Sequence, residues 1–241
     1  MTAMKIFKSG KSLTERLVRR VFYKYYARNL FYELQLRARS SSADYVEKHM
    51  ADAVVFWRLD EILAYCVRRA PAEGLLLEFG VATGKSINII AAAAHGREVY
   101  GFDSFEGLPE NWSGHVETQG SFSRKGQLPQ VLPQVRLYKG WFRETLEQFK
   151  AQQSGPVAFL HIDCDLYSST REVLQGLADR LIIGTVIEFD EYFNYPNWQQ
   201  HEFRAWQEFV REHGIQYRYL AMTASDGRVA VMITGKNQTR P

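Results

Sequence analysis

From Leu75 to His213 the chain repeats one pattern, a short apolar run followed by a stretch with apolar residues at helical spacing. LLLEFG (75–80) precedes SINIIAAAA (86–94), and EVYGFD (98–103) and VRLYKG (135–140) precede FRETLEQFKAQ (142–152). VAFLHID (157–163) precedes TREVLQGLADRL (170–181), and GTVIEFDEY (184–192) precedes HEFRAWQEFVREH (201–213). Runs this short and continuously apolar read as strands buried on both faces, as in a parallel sheet covered by helices. YRYLAM (217–222) and VAVMIT (229–234) are late strands joined by TASDGR, whose Asp226-Gly227 suits a hairpin turn. The pattern predicts an α/β fold, a doubly wound and mostly parallel sheet with a C-terminal antiparallel strand pair. A chain of 241 residues can bury such a core as one domain.

Ahead of this pattern lies a different kind of segment. Residues 12–38 place Leu13, Leu17, Val21, Tyr25, Leu30 and Leu34 at helical spacing with arginines between them, and Ser12 with Glu15 forms a capping-box pattern. Residues 1–40 carry ten Lys/Arg against Glu15 and Glu33, a net of +8, so the overall +3 leaves −5 for the rest. Such a helix can lie on anionic membranes, but packing on its own domain or on a second subunit, as in a homo-oligomer, is the commoner use. ARSSSAD (38–44) reads as a polar loop, and residues 44–69 as one or two helices ended by Pro71 and Gly74. The expected division is a basic helical extension over 1–43 and a catalytic domain over 44–241. The small overall charge gives no case for nucleic acid. Two cysteines make neither a disulfide framework nor a zinc set, and no secretory signal or membrane-spanning stretch is legible. A soluble cytoplasmic protein is expected.

EFGVATGKS (78–86) ends like a phosphate-binding P-loop, but that motif needs four residues between its first glycine and Gly-Lys. Only Val81, Ala82 and Thr83 separate Gly80 from Gly84. A kinase or NTPase reading is therefore disfavoured. Glu-x-Gly-x-x-x-Gly instead suits S-adenosylmethionine: Gly80 and Gly84 let the backbone approach its methionine part, and Glu78 can organise the loop or the ammonium. Ser86 is a candidate cap of the helix that follows, and Lys85 reads as solvated. Nineteen residues beyond Gly84, Asp103 ends the next strand, placed to accept both ribose hydroxyls. Ser104 and Phe105 follow it, and Phe105 and Trp141 are placed to pack on an adenine or a sugar face.

Two later strand ends concentrate acids: Asp163 and Asp165 in HIDCDLYSST, then Glu188, Asp190 and Glu191 in IEFDEYFNYP. Crowded carboxylates repel unless they share something positive, and oxygen-only ligands suit a hard cation such as magnesium. Asp163, Asp190 and Glu191 are the expected ligands, with Glu188 behind them; helix capping by Asp165 and Asp190 is the plainer alternative. A divalent ion beside a methyl sulfonium suggests methyl transfer to a hydroxyl, which needs a base. Asp165, His161, His115 and His201 are the candidates, and Asp163, Asp165 and His115 form the expected catalytic set.

EFGVATGKS, GFDSFEGLPE (101–110), KGWFRETL (139–146), HIDCDLYSST and FDEYFNYP together resemble the macrocin O-methyltransferase family over roughly residues 55–215. The resemblance implies the class I methyltransferase (Rossmann-like) fold, S-adenosylmethionine with Asp103 on its ribose, and magnesium held by Asp163 and the Asp190/Glu191 pair. It implies a sugar or glycosylated small molecule as acceptor. The family has two aspartates where this chain has Asp190-Glu191. Residues 111–134, long and polar, are expected to form a mobile substrate lid. A non-catalytic domain that keeps the fold is the rival from another class, disfavoured by the intact acidic cluster.

Overall fold

The computed structural model describes residues 13–237; Ser12, the expected cap, lies outside them. The described chain builds eight strands into one sheet in the order β1-β7-β8-β6-β5-β2-β3-β4. These are β1 (Val54–Phe56), β2 (Leu75–Phe79), β3 (Val99–Asp103), β4 (Val135–Lys139), β5 (Val157–Ile162), β6 (Leu181–Phe189), β7 (Ile215–Thr223) and β8 (Val229–Lys236). All neighbouring pairs are parallel except those of β8, which runs antiparallel to both β6 and β7. The expected α/β sheet with its late antiparallel pair is present. Helices cover both faces: α3 (Leu59–Arg69) and α4 (Lys85–Ala93) on one, α5 (Phe142–Gln152), α6 (Tyr167–Gly176) and α7 (Glu202–His213) on the other.

The apolar runs become strands because both their faces are buried. All five residues of β2 and all six of β5 are buried, so alternation disappears from the sequence. Across β2, β3 and β4, Phe79, Phe102 and Tyr138 stand in register and stack at 4.4 and 5.1 Å, a cross-strand row that fixes the pairing. From β2 the chain builds outward to β3 and β4, then returns through β5 to the other side of β2. The switch point therefore falls between β2 and β5, where open α/β sheets place their ligand crevice.

Two local expectations are corrected. The segment 38–44 is not a loop: α2 runs unbroken over Leu30–His49. Its serines stay helical because they find partners, Ser41 Oγ donating to the Ala38 carbonyl and Ser42 Oγ accepting from Asn194 N–H. Residues 44–69 are not wholly helical, since β-branched Val54 and Val55 form an edge strand against Ala221 and Met222. The N-terminal helices are α1 (Leu13–Phe22), a π-helical turn (Tyr23–Ala27) and α2. No residue of α1 is buried. Among the described residues no helix is long and apolar enough to cross a membrane.

Candidate active site

At the switch point Gly80 leaves β2 with φ 95° and donates its N–H to the Phe102 carbonyl. A Cβ there would stand 1.6 Å from the carbonyl oxygen of Asp163. Glycine is therefore required at this position by the close passage of the strand end of β5. Gly84, φ 80°, starts α4, and a Cβ on it would meet Pro129 at 3.0 Å. Around this loop Asp103 acts as a hub. Its Oδ2 accepts N–H bonds from Val81 (2.8 Å) and Ala82 (2.7 Å), and its Oδ1 accepts one from Phe105 (2.6 Å). A carboxylate bound in this way fixes the backbone around it and keeps acceptor capacity on Oδ1, and Asp103 borders the cavity.

That cavity, about 880 Å³, opens above the C-terminal ends of β2, β3, β5 and β6. Gly80, Asp103, Ser104, Trp141, Asp163, Asp165, Glu191 and His115 of the expected set line it. Glu78, Gly84, Ser86, Phe105 and Asp190 are not among the lining residues. Phe105 turns into the core beneath α4 instead, and Trp141 is half-exposed at the rim. Ser86 is buried and does not cap α4, whose N-cap residue Gly84 has no side chain.

Glu78 belongs to a buried row across three strands. In register with it stand His161 on β5 and Glu188 on β6. His161 Nδ1 hydrogen-bonds Glu78 Oε1 at 2.9 Å, and its Nε2 lies 2.9 Å from Glu188 Oε2; all three side chains are fully buried. Burial disfavours a charged imidazole, but Glu188, Asp190 and Glu78 together push the His161 pKa well above its ordinary value. His161 thus ties the cofactor-loop strand to the acid-bearing strands, away from the cavity. His201, held on the Ser113 carbonyl at 2.8 Å, is also outside the lining, and burial lowers its pKa.

The acids divide into two groups. Asp190 is gripped by Arg228, whose Nε donates to Oδ1 at 2.6 Å and Nη2 to Oδ2 at 3.1 Å. Burial opposes its ionisation, but His161 and Arg228 hold its pKa down at about 2. With both oxygens engaged, Asp190 is an anchor for the strand end, not an open ligand. Asp163, Asp165 and Glu191 instead bring carboxylate oxygens within 4.8 Å of one another. Glu191 Oε2 is buried without a hydrogen-bond partner. Burial, reinforced by Asp190, pushes Asp163 and Glu191 well above the carboxylate range and Asp165 to about 7. Three carboxyl groups crowded at one cavity, one of them with a buried oxygen that has no partner, fit a hard divalent cation. Asp165 does not cap α6, which begins after Leu166 with no side-chain cap; its φ of 64° turns it toward the cavity.

The segment after β3 forms the opposite wall. His115 stacks on Trp112 at 3.8 Å and its Nδ1 contacts Glu117 Oε2 at 2.7 Å. Sequence reasoning missed Arg228, Glu117 and Glu202, the last buried and accepting the Glu191 N–H at 3.0 Å. Arg228 sits 38 positions from Asp190, in a hairpin read only for its turn, and no short motif signals that pairing.

A family model described as a methyltransferase domain matches residues 77–192, the span from the glycine loop through Glu191. Over that stretch the chain is similar to a methyltransferase domain. It is 34% identical over 163 residues to the 8-demethyl-8-(2,3-dimethoxy-alpha-L-rhamnosyl)-tetracenomycin-C 4'-O-methyltransferase of Streptomyces olivaceus. That match covers 56% of this chain and 60% of that relative, so the likeness spans well under two thirds of its length. Among solved structures, CalS11, a calicheamicin methyltransferase, superposes with a TM-score of 0.55 at 21% identity, covering 92% of this chain and 94% of that one. The O-methyltransferase NovP gives 0.54 at 23% identity, covering 73% and 79%. These two show the fold alone, which is of the class I methyltransferase, Rossmann-like type.

Proposed function

We propose that the protein is an S-adenosylmethionine-dependent O-methyltransferase acting on a hydroxyl of a sugar or a glycosylated small molecule. One observation carries this reading. A glycine loop organised by Asp103 and three crowded carboxyl groups, Asp163, Asp165 and Glu191, open into the same cavity at the switch point. The methyltransferase-domain match spans both halves of that site, and the Streptomyces relative is named for methylating a rhamnosyl compound.

In this reading Gly80–Ala82 would hold the cofactor's methionine end, and Asp103 and Ser104 would hold its ribose. The Trp141 ring at the rim offers a face to an adenine or a sugar. Asp165, buried at the same cavity and turned toward it, is the base suited to take the acceptor's proton. The cofactor, when bound, would supply the methyl group to the acceptor oxygen, its carbon–sulfur bond breaking to leave a neutral thioether. Asp163 and Glu191 would hold a divalent cation, which lowers the pKa of a bound hydroxyl and orients its oxygen. Asp190, bound to Arg228, keeps the β6 end in place. Trp112, His115 and Glu117 form the acceptor wall, the part of the expected lid that borders the cavity.

Transfer of labelled methyl from S-adenosylmethionine to a panel of glycosides tests this directly. Wild type should transfer; Asp165→Asn should lose about 10²-fold or more in kcat, and chelation should abolish the stimulation by added magnesium. Undiminished transfer in both Asp165→Asn and Asp163→Asn, with a chelator present, would remove the base and the cation together.

A further inference from the structure

A second cavity, about 670 Å³, lies at the β7 edge of the sheet and shares no lining residue with the candidate active site. One edge of β7 pairs with β8 along most of its length. On the other edge β1 pairs only with Ala221, Met222 and Thr223. Among the described residues, the stretch Ile215 to Leu220 finds no backbone partner on that side. Tyr217, Arg218, Tyr219 and Leu220 line the cavity, and so does Val54, the first residue of β1. An open strand edge is a template for a further strand.

The walls indicate what such a strand would carry. Lys48 of α2, Arg69 of α3 and Arg218 of β7 line the cavity with His49, against one acid, Asp52. Among the described residues none of the three cations makes an ion pair. Arg69 lies over the Tyr65 ring at 5.1 Å, and Arg218 reaches only the Met232 sulfur at 3.9 Å. The tyrosines add a donor. Tyr219 Oη lies 2.6, 2.9 and 3.2 Å from the hydroxyls of Tyr45, Tyr192 and Tyr217, and Gln207 Nε2 donates to the last two. Four hydroxyl protons serve three hydroxyl contacts, so one has no acceptor within the cluster. Tyr192 is fully buried, where a wasted donor costs most. The spare proton therefore belongs to Tyr45, Tyr217 or Tyr219, which all line the cavity.

We propose that this groove takes an extended acidic peptide, added as a strand to the free edge of β7 with its carboxylates against Lys48, Arg69 and Arg218. Backbone pairing supplies affinity, and the charges select the sequence. The same charges exclude a second copy of this edge, since pairing two such strands sets like charges against each other. An anionic membrane would satisfy the cations but not the strand's N–H and C=O groups, which need a chain to pair with.

Fluorescence anisotropy of a labelled, end-blocked peptide of four Glu-Val repeats tests this on wild type and on a Lys48→Glu/Arg218→Glu variant. Both positions are exposed, so the variant should keep the wild-type circular dichroism and melting temperature. Wild type should bind saturably, and the variant's dissociation constant should rise by about tenfold or more. On wild type, four Lys-Val repeats should not bind. Four Glu-Pro repeats, equal in charge but unable to pair as a strand, should bind about tenfold or more weakly. Absence of saturable binding by the Glu-Val peptide overturns the proposal, as does equal affinity in the variant or for the Glu-Pro peptide. Flotation of wild type on phosphatidylglycerol vesicles without peptide binding also overturns it and assigns the groove to lipid.

Discussion

At the scale of single residues, the site rests on a few positions whose identity is forced by neighbours far away in sequence. Gly80 is forced by the Asp163 carbonyl, and a Gly80→Ala variant must both move β5 and hold a side chain at φ 95°. It should lose about 3 kcal/mol or more, read from the urea midpoint. Asp190 is forced by Arg228. Replacing Arg228 with Met leaves a buried carboxylate without its guanidinium and should cost about 3–5 kcal/mol at neutral pH. The pH dependence carries a definite sign. Asp190 has a depressed pKa, so its ionised form stabilises the fold above the ordinary carboxylate range, and that stabilisation is lost as pH falls toward about 2. The deficit of Arg228→Met should therefore be largest above about pH 4 and shrink in acid, as thermal melts across pH would show. Asp103, Asp163, Asp165 and Glu191 were legible from sequence because each ends a strand. Arg228 and Glu202 were not, because what selects them is a contact across the sheet's end. The glycine loop's first acid, Glu78, was legible as a special residue but not in its use, since only strand register reveals that it faces His161.

At the scale of elements, the sheet was readable and its edges were not. Continuous apolar runs located β2, β3, β5 and β6 because burial on both faces leaves a plain signature. β1 was lost inside a helical reading, because three residues are too few to show a period against the helices flanking them. The serines at 40–42 read as a loop because their helix-favouring partners, Ala38 and Asn194, are supplied only by folding. The row Glu78–His161–Glu188 joins β2, β5 and β6 beneath the cavity, and its cohesion depends on the charge of His161. Replacing His161 with Leu strands two buried carboxylates and should cost about 3–5 kcal/mol. In wild type the raised pKa means that this contribution is complete below the ordinary histidine pKa and is lost only as pH rises through the raised value. Melting temperature followed upward from neutral pH should fall in wild type as pH rises through that raised value.

At the scale of the whole molecule, a mildly acidic α/β body carries a basic, apolar-faced leader, and the cavity lies where the sheet changes direction between β2 and β5. The position of the cavity follows from topology, and its chemistry follows from which residues end the strands. The short spacing from Gly80 to Gly84 favours an adenosyl cofactor over a triphosphate, because the loop lacks one of the backbone donors that wrap a phosphate. The most direct measurement is a calorimetric titration of S-adenosylmethionine and of ATP into wild type and into Asp103→Ala. S-adenosylmethionine should bind wild type and ATP should not, with cofactor affinity in Asp103→Ala falling by about tenfold or more. Binding of ATP alone, or S-adenosylmethionine affinity unchanged in Asp103→Ala, would contradict the assignment of this cavity.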